Sequence, residues 1–191
     1  MRWSFLLFYD IIDTVRRKDG FTMIYIDFDG VILDTEELLF EKWHEEVCTP
    51  SSTEEDKIRY MQQMDWEYIL YHSDAICDSI YYLQNMDPST TTILTKIHSL
   101  ENEGGAKVKW VRDNHIKQNI ILVPYFLKKS DVVDAKDNIL VDDCLKNLDD
   151  FTAAQGKGIF FDKDNDDYDS WHQPNTKGYQ KVLNLSSFSK K

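Results

Sequence analysis

Five short apolar runs punctuate the chain: Met23–Ile26, Thr92–Leu94, Asn119–Val123, Asn138–Val141 and Gly158–Phe161. A strand with one wet face alternates apolar and polar residues. Most of these runs do not alternate, so they suit strands covered on both faces, as in a parallel sheet. Helical stretches separate several of them. Lys107–His115 follows a break at Gly104-Gly105, and Leu145–Gln155 is ended by Gly156. Strand alternating with helix predicts an α/β fold: a doubly wound, parallel, five-stranded Rossmann-like sheet. No internal repeat is present. At 191 residues the chain makes one domain and can bury a core without staples.

The runs are unevenly spaced. About 65 residues separate the first from the second, whereas a crossover needs only about a dozen. The excess is rich in Trp, Tyr, Leu and Glu and reads as several helices. Pro50-Ser51-Ser52-Thr53 before Glu54 and Glu55 reads as a turn and helix N-cap. The expected division is an N-terminal helical extension over 1–22, an α/β core over 23–35 and 87–191, and a small helical cap over 36–86. Open α/β sheets bind ligands at the C-terminal ends of their strands, where this cap is expected. Met1–Tyr9 faintly resembles a signal peptide. Asp10 interrupts its apolar run, no small-residue cleavage site follows, and Phe5, Phe8, Ile12 and Val15 recur at helical spacing.

The first run ends in Asp27-Phe28-Asp29-Gly30. Carboxylates two residues apart leave an extended chain on the same side, and Gly30 permits a sharp turn. The fourth run ends in Asp142-Asp143. Brought together in a doubly wound sheet, these acids repel one another unless a cation compensates them. Hard oxygen ligands at a wet edge suit Mg²⁺. A carboxylate held against Mg²⁺ can attack phosphorus, and a second can pass protons to the leaving oxygen and from water. Any one of these acids is an ordinary turn residue more often than not; two pairs, each ending a buried strand, are much harder to dismiss. Thr95, closing the second strand, offers a hydroxyl to a phosphate. A lysine near the third strand would supply positive charge; Lys128, Lys129 and Lys136 all qualify.

The formal charge of −12, from 34 acidic and 22 basic residues, argues against a nonspecific nucleic-acid binder. It leaves room for a small anionic substrate in a local positive pocket. Cys48, Cys77 and Cys144 form no CxxC pair, which points to a reduced, cytoplasmic setting. No run reaches the length of a membrane span. A substrate base would need aromatic stacking, for which Phe40, Trp43, Trp66 and Tyr68 are candidates, although aromatics at helical spacing are more often core. The histidines show no ligand spacing. Asp162–Asp167 begins like a calcium loop, but Asp167 and Gln173 stand where Gly and Glu belong, so it reads as an acidic surface loop. The polar tail Ser186–Lys191 is expected to fray.

Together these residues resemble the haloacid dehalogenase (HAD) superfamily of phosphotransferases. Asp27-Phe28-Asp29-Gly30-Val31 resembles its first motif, DxDG[TV], Ile93-Leu94-Thr95 its second, and Ile139-Leu140-Val141-Asp142-Asp143 its acidic fourth. The resemblance implies Asp27 as nucleophile and Asp29 as general acid/base. It implies Mg²⁺ held by Asp27, the backbone carbonyl of Asp29 and Asp142, with Asp143 supporting the metal's waters. Thr95 would bind phosphate, and Lys129 would be the third-motif lysine. Within the superfamily the chain is most similar to the 5'(3')-deoxyribonucleotidases, through Lys107-Val108-Lys109-Trp110-Val111-Arg112 and Lys129-Ser130-Asp131-Val132-Val133. It departs from them at Lys96, which adds a phosphate contact or crowds the pocket, and at Cys144, where Arg is usual.

The expected function is therefore a Mg²⁺-dependent phosphomonoester hydrolase acting on a small nucleotide, without a membrane or a stable nucleic-acid partner. Two alternatives are carried: a nucleic-acid 3'-phosphatase, which would need a basic groove, and a non-catalytic HAD-like binding module, which would gain nothing from clustered carboxylate repulsion.

Overall fold

A computed structural model describes residues 22–49, 51–169 and 171–189; the N-terminal helix expected over 1–22 lies almost wholly outside them. Six parallel strands form one sheet: β1 (Ile24–Ile26), β2 (Thr91–Ile97), β3 (Asn119–Pro124), β4 (Ile139–Asp142), β5 (Lys157–Phe161) and β6 (Lys181–Val182). Their order is β3-β2-β1-β4-β5-β6. The chain winds outward one way from β1 through β3, then returns to β4 and winds the other way. That is the doubly wound order, with its switch point between β1 and β4. The expected five strands gain a sixth, β6, which pairs Lys181 with Phe160 and Val182 with Phe161; a two-residue strand has no periodicity to read.

The sheet is buried on both faces because its central strands carry apolar residues in both parities. Ile24, Ile26, Ile139, Val141, Ile159 and Phe161 enter one core layer, while Tyr25, Leu140 and Phe160 enter the other. Helices α1 (Thr35–Glu46), α2 (Glu54–Gln63), α3 (Trp66–His72) and α4 (Ser79–Asn85) fill the long β1–β2 interval. The first layer packs Trp66, Ile69 and Leu70 of α3, Leu83 of α4, and Trp110 and Val111 of α5 (Gly105–Asp113). The second packs Leu148 and Phe151 of α6 (Leu145–Ala153). Thr53 caps α2 reciprocally with Asp56, satisfying two backbone N–H groups.

Two local expectations are corrected. Gly104-Gly105 is no break: a π-helical turn, Leu100–Gly104, runs straight into α5 with helical angles at both glycines. A side chain at Gly104 would meet Leu122 Cδ1 at 2.9 Å, so this glycine serves the approach of the helix to the sheet. At the tail, Leu185–Phe188 form a 3₁₀ turn with Leu185 buried and Phe188 against the core. Apolar anchors outweigh the polar composition there. No helix among the described residues is long and apolar enough to cross a membrane.

Candidate active site

β1 and β4 are hydrogen-bonded neighbours, and the Asp27 N–H donates to the Val141 carbonyl at 2.9 Å. Asp27 and Asp142 therefore leave the sheet side by side at the switch point. One carboxylate oxygen from each of Asp27, Asp142 and Asp143 lies within 4.8 Å of the others. Gly30, at φ +70°, makes the turn that admits Asp143: a Cβ there would stand 2.1 Å from Asp143 Oδ2.

Lys129, in the 3₁₀ turn after β3, is buried between two of these acids. Its Nζ lies 2.7 Å from Asp27 Oδ1 and 2.6 Å from Asp142 Oδ2. Of the three lysines open to the sequence, this one reaches the carboxylates; Lys128 pairs with Asp150 at 2.8 Å on the surface, and Lys136 is exposed. Asp142 is held further by the Cys144 N–H at 2.9 Å and Asn147 Nδ2 at 3.1 Å. Asp27 Oδ1 also accepts the Phe28 N–H at 2.8 Å. Asp27 Oδ2 accepts no hydrogen bond among the described residues and is the oxygen left for chemistry.

Three carboxylates and one ammonium leave an excess of negative charge. Burial foremost, then the Asp142 charge, pushes Asp27 up to about 7 against the pull of Lys129. Burial works against the Lys129 ammonium, yet Asp142 and Asp27 hold it above the ordinary lysine range. An all-oxygen donor set with uncompensated charge fits a hard divalent cation such as Mg²⁺. Asp27, Asp142 and Asp143 would hold it.

Asp29 turns elsewhere, so its carboxylate is no member of that cluster. It accepts from Thr35 Oγ1 at 2.8 Å and from Lys107 Nζ at 2.6 Å. Lys107 is fully buried and also donates to Glu103 Oε1 at 2.8 Å, Thr95 Oγ1 at 3.1 Å and the Lys96 carbonyl at 3.1 Å. Burial disfavours its charge, but Asp29 and Glu103 outweigh that and raise it above its ordinary value. Burial likewise opposes the Glu103 charge, while Lys107 and the hydrogen bonds of His98 hold its carboxyl below the ordinary range. This network was missed as site chemistry. Lys107 and Glu103 are an i,i+4 pair, which on most helices marks a solvated face.

A cavity of about 830 Å³ opens above the carboxylates, with Asp27, Asp29, Asp143, Lys96 and Phe40 in its wall. The other aromatic candidates divide. Trp66 touches the cavity but is 2% exposed, its indole N–H donating to the Met61 carbonyl at 2.7 Å. Trp43 is corrected to a core residue packed on Tyr60, with ring centroids 5.4 Å apart. Tyr68 stacks on His72 at the surface. Thr95 is fully buried beneath the site, facing Asp29 and Lys107. Trp171, in the β5–β6 connection, lines the cavity; an irregular segment gave no signal for it.

No protein-family model matches the chain, and no curated protein matches it. Solved structures do. A hydrolase from Pseudomonas syringae superposes with a TM-score of 0.60 at 15% identity, covering 87% of this chain and 95% of that one. The D,D-heptose 1,7-bisphosphate phosphatase of Burkholderia thailandensis gives 0.51 at 12% identity, covering 87% and 95%. A HAD hydrolase of Bacillus subtilis bound to magnesium gives 0.52 at 14% identity, covering 87% and 96%. The last of these is described as a HAD hydrolase, and at such identities the likeness shows a shared fold alone.

Proposed function

We propose that this chain is a Mg²⁺-dependent phosphomonoester hydrolase of the HAD type, nucleotidase-like in substrate. The observation that carries the reading is the convergence of Asp27, Asp142 and Asp143 at the switch point, with Lys129 bridging the first two.

Asp27 Oδ2 attacks the phosphorus, the bond to the ester oxygen breaks, and the phosphoryl group rests on Asp27. Asp29 supplies the proton that the departing oxygen takes. In the second half Asp29 removes a proton from water, the water oxygen attacks phosphorus, and Asp27 is freed as a carboxylate. Thr35 and Lys107 hold the Asp29 carboxyl in place for both transfers through their hydrogen bonds. Lys129 engages Asp27 Oδ1, which leaves Oδ2 to attack, and offers positive charge to the phosphoryl oxygens. A bound Mg²⁺ would neutralise the carboxylates and the phosphate against each other. Lys96 adds a cation at the cavity wall.

Phosphate release from nucleoside monophosphates, sugar phosphates and a 3'-phosphorylated oligonucleotide, with and without Mg²⁺, tests the reading. Release that requires Mg²⁺ and disappears in Asp27→Asn is expected. Release from no ester would return the chain to the non-catalytic alternative, and release from the oligonucleotide alone to the 3'-phosphatase.

A further inference from the structure

The π-helical turn Leu100–Gly104 joins the end of β2 to α5. Such turns are rare and recur at functional sites. This one carries Glu103, which is 1% exposed. No step of the proposed reaction uses its carboxylate, yet one lysine alone separates it from Asp29. Both Glu103 oxygens are engaged. Oε1 accepts from Lys107 Nζ at 2.8 Å, and Oε2 accepts the His98 N–H at 2.6 Å. The His98 ring brings Nδ1 to 3.3 Å from Oε2 and stacks on Tyr125, with centroids 5.2 Å apart. Asn102, in the same turn, donates through Nδ2 to the Met64 carbonyl at 2.8 Å and the Gln62 carbonyl at 3.2 Å. The turn is thereby pinned to the end of β2 on one side and to the α2–α3 junction on the other.

The Lys107 ammonium has three protons and four acceptors in reach: Asp29 Oδ2, Glu103 Oε1, Thr95 Oγ1 and the Lys96 carbonyl. Two of the four are carboxylates, and their situations differ. Asp29 is open to the cavity and passes a proton in each half of the proposed reaction. It is therefore no constant counter-charge for the lysine. A fully buried ammonium without a counter-charge is strongly disfavoured. Glu103 is sealed from solvent, is held from two directions and transfers nothing, so it supplies the standing charge.

We infer that Glu103 is a positioning residue for the proposed phosphoryl transfer: it fixes the Lys107 ammonium where that ammonium holds the Asp29 carboxyl for both proton transfers. This rests on the phosphomonoesterase reading and extends its machinery by one residue. Glu103 meets neither substrate nor the reacting atoms, and its effect passes through Lys107. Glu103→Gln keeps the volume but offers one oxygen to two donors. Its amide must then face either Lys107 or the His98 N–H, and the lysine loses its anchor.

The test follows nitrophenolate release from p-nitrophenyl phosphate, using the full chain with Mg²⁺. Nitrophenolate departs without a proton, so the first half spares Asp29, whereas the second half still needs it to activate water. In Glu103→Gln the steady rate should fall about 10–100-fold, the scale set by a small misplacement of a catalytic group. Rapid mixing should show fast release of nearly one nitrophenolate per chain before that slow rate, because the phosphorylated enzyme accumulates. Lys107→Met and Glu103→Gln/Lys107→Met should share one kcat, since Glu103 has nothing to position once the lysine is gone. A steady rate equal to wild type in Glu103→Gln, or a further loss in the double variant, overturns the positioning role while the phosphatase reading stands. Fast and steady release slowed together in Glu103→Gln also overturn it, as the mark of a merely structural lesion. Should Glu103→Gln fail to fold, the comparison of Lys107→Met with the double variant still decides. No release by the wild type from p-nitrophenyl phosphate or from any nucleoside monophosphate defeats the phosphatase reading, and the positioning role with it.

Discussion

A carboxylate held among like charges should cost the metal-free protein stability, and Asp27→Asn should recover it. Asp27 moves from an ordinary 3.8 to about 7 in the folded chain. At about 1.4 kcal/mol per tenfold change, ionising it at pH 8 costs on the order of 4 kcal/mol. The sign follows from proton counts. Between pH 4 and 7 the folded state keeps the Asp27 proton and the unfolded chain has released it, so stability falls as pH rises through that window. Glu103, Asp149 and Asp162, whose carboxyls are held low, act at more acid pH and in the opposite sense: their contribution is lost as pH falls. Thermal unfolding with a chelator at pH 5 and pH 8 isolates the effect. Wild-type Tm should be lower at pH 8, whereas Asp27→Asn should remove most of that fall. For a chain of this size, at roughly 2–4 °C per kcal/mol, the variant should gain on the order of 10 °C at pH 8. Adding Mg²⁺ at pH 8 should raise the wild-type Tm by mass action and the variant's far less. A variant no more stable than wild type at pH 8 would refute the reasoning.

Lys129→Met leaves Asp27 and Asp142 buried without their shared counter-charge; urea unfolding of the metal-free protein should show a loss of about 3–5 kcal/mol, and phosphate release should vanish. Gly30→Ala strains a residue at φ +70° and drives a methyl into Asp143. It should cost about 1–3 kcal/mol and weaken Mg²⁺ binding measured by calorimetry; an unchanged affinity would remove Asp143 from the cradle. Lys107→Met frees Asp29 and strands Glu103, so kcat should fall by about 100-fold, the lower range for losing a placed acid/base group. A matching fall in KM would instead mean that Lys107 acts on binding.

What the sequence made legible is what burial on both faces makes legible. The apolar runs at β1 and β4 lie in the middle of the sheet, and the acids ending them mark where the chain leaves it, so strand order and carboxylate cluster could be read together. Lys129 became identifiable only in three dimensions, because Lys128 next to it has the same local sequence signal and opposite burial. Lys107 was hidden for a related reason: its partners Asp29 and Thr95 lie 78 and 12 positions away. Trp171 sits in an irregular connection held by Asp169 side-chain bonds to backbone N–H groups, and such a loop leaves no periodic trace. Trp43 misled because helical spacing alone does not say which aromatic packs against a neighbouring helix, as Trp43 does on Tyr60, and which faces the cavity.

The central claim is that Asp27 Oδ2 is the atom that takes the phosphoryl group. Mixing the full chain with Mg²⁺ and a turned-over phosphomonoester, quenching in acid within milliseconds and mapping the digest by mass spectrometry reads this directly. A phosphoryl adduct on the peptide containing Asp27, removed by hydroxylamine and absent from Asp27→Asn, is the expected result. Steady turnover with no adduct there, or turnover that survives Asp27→Asn, would contradict the account.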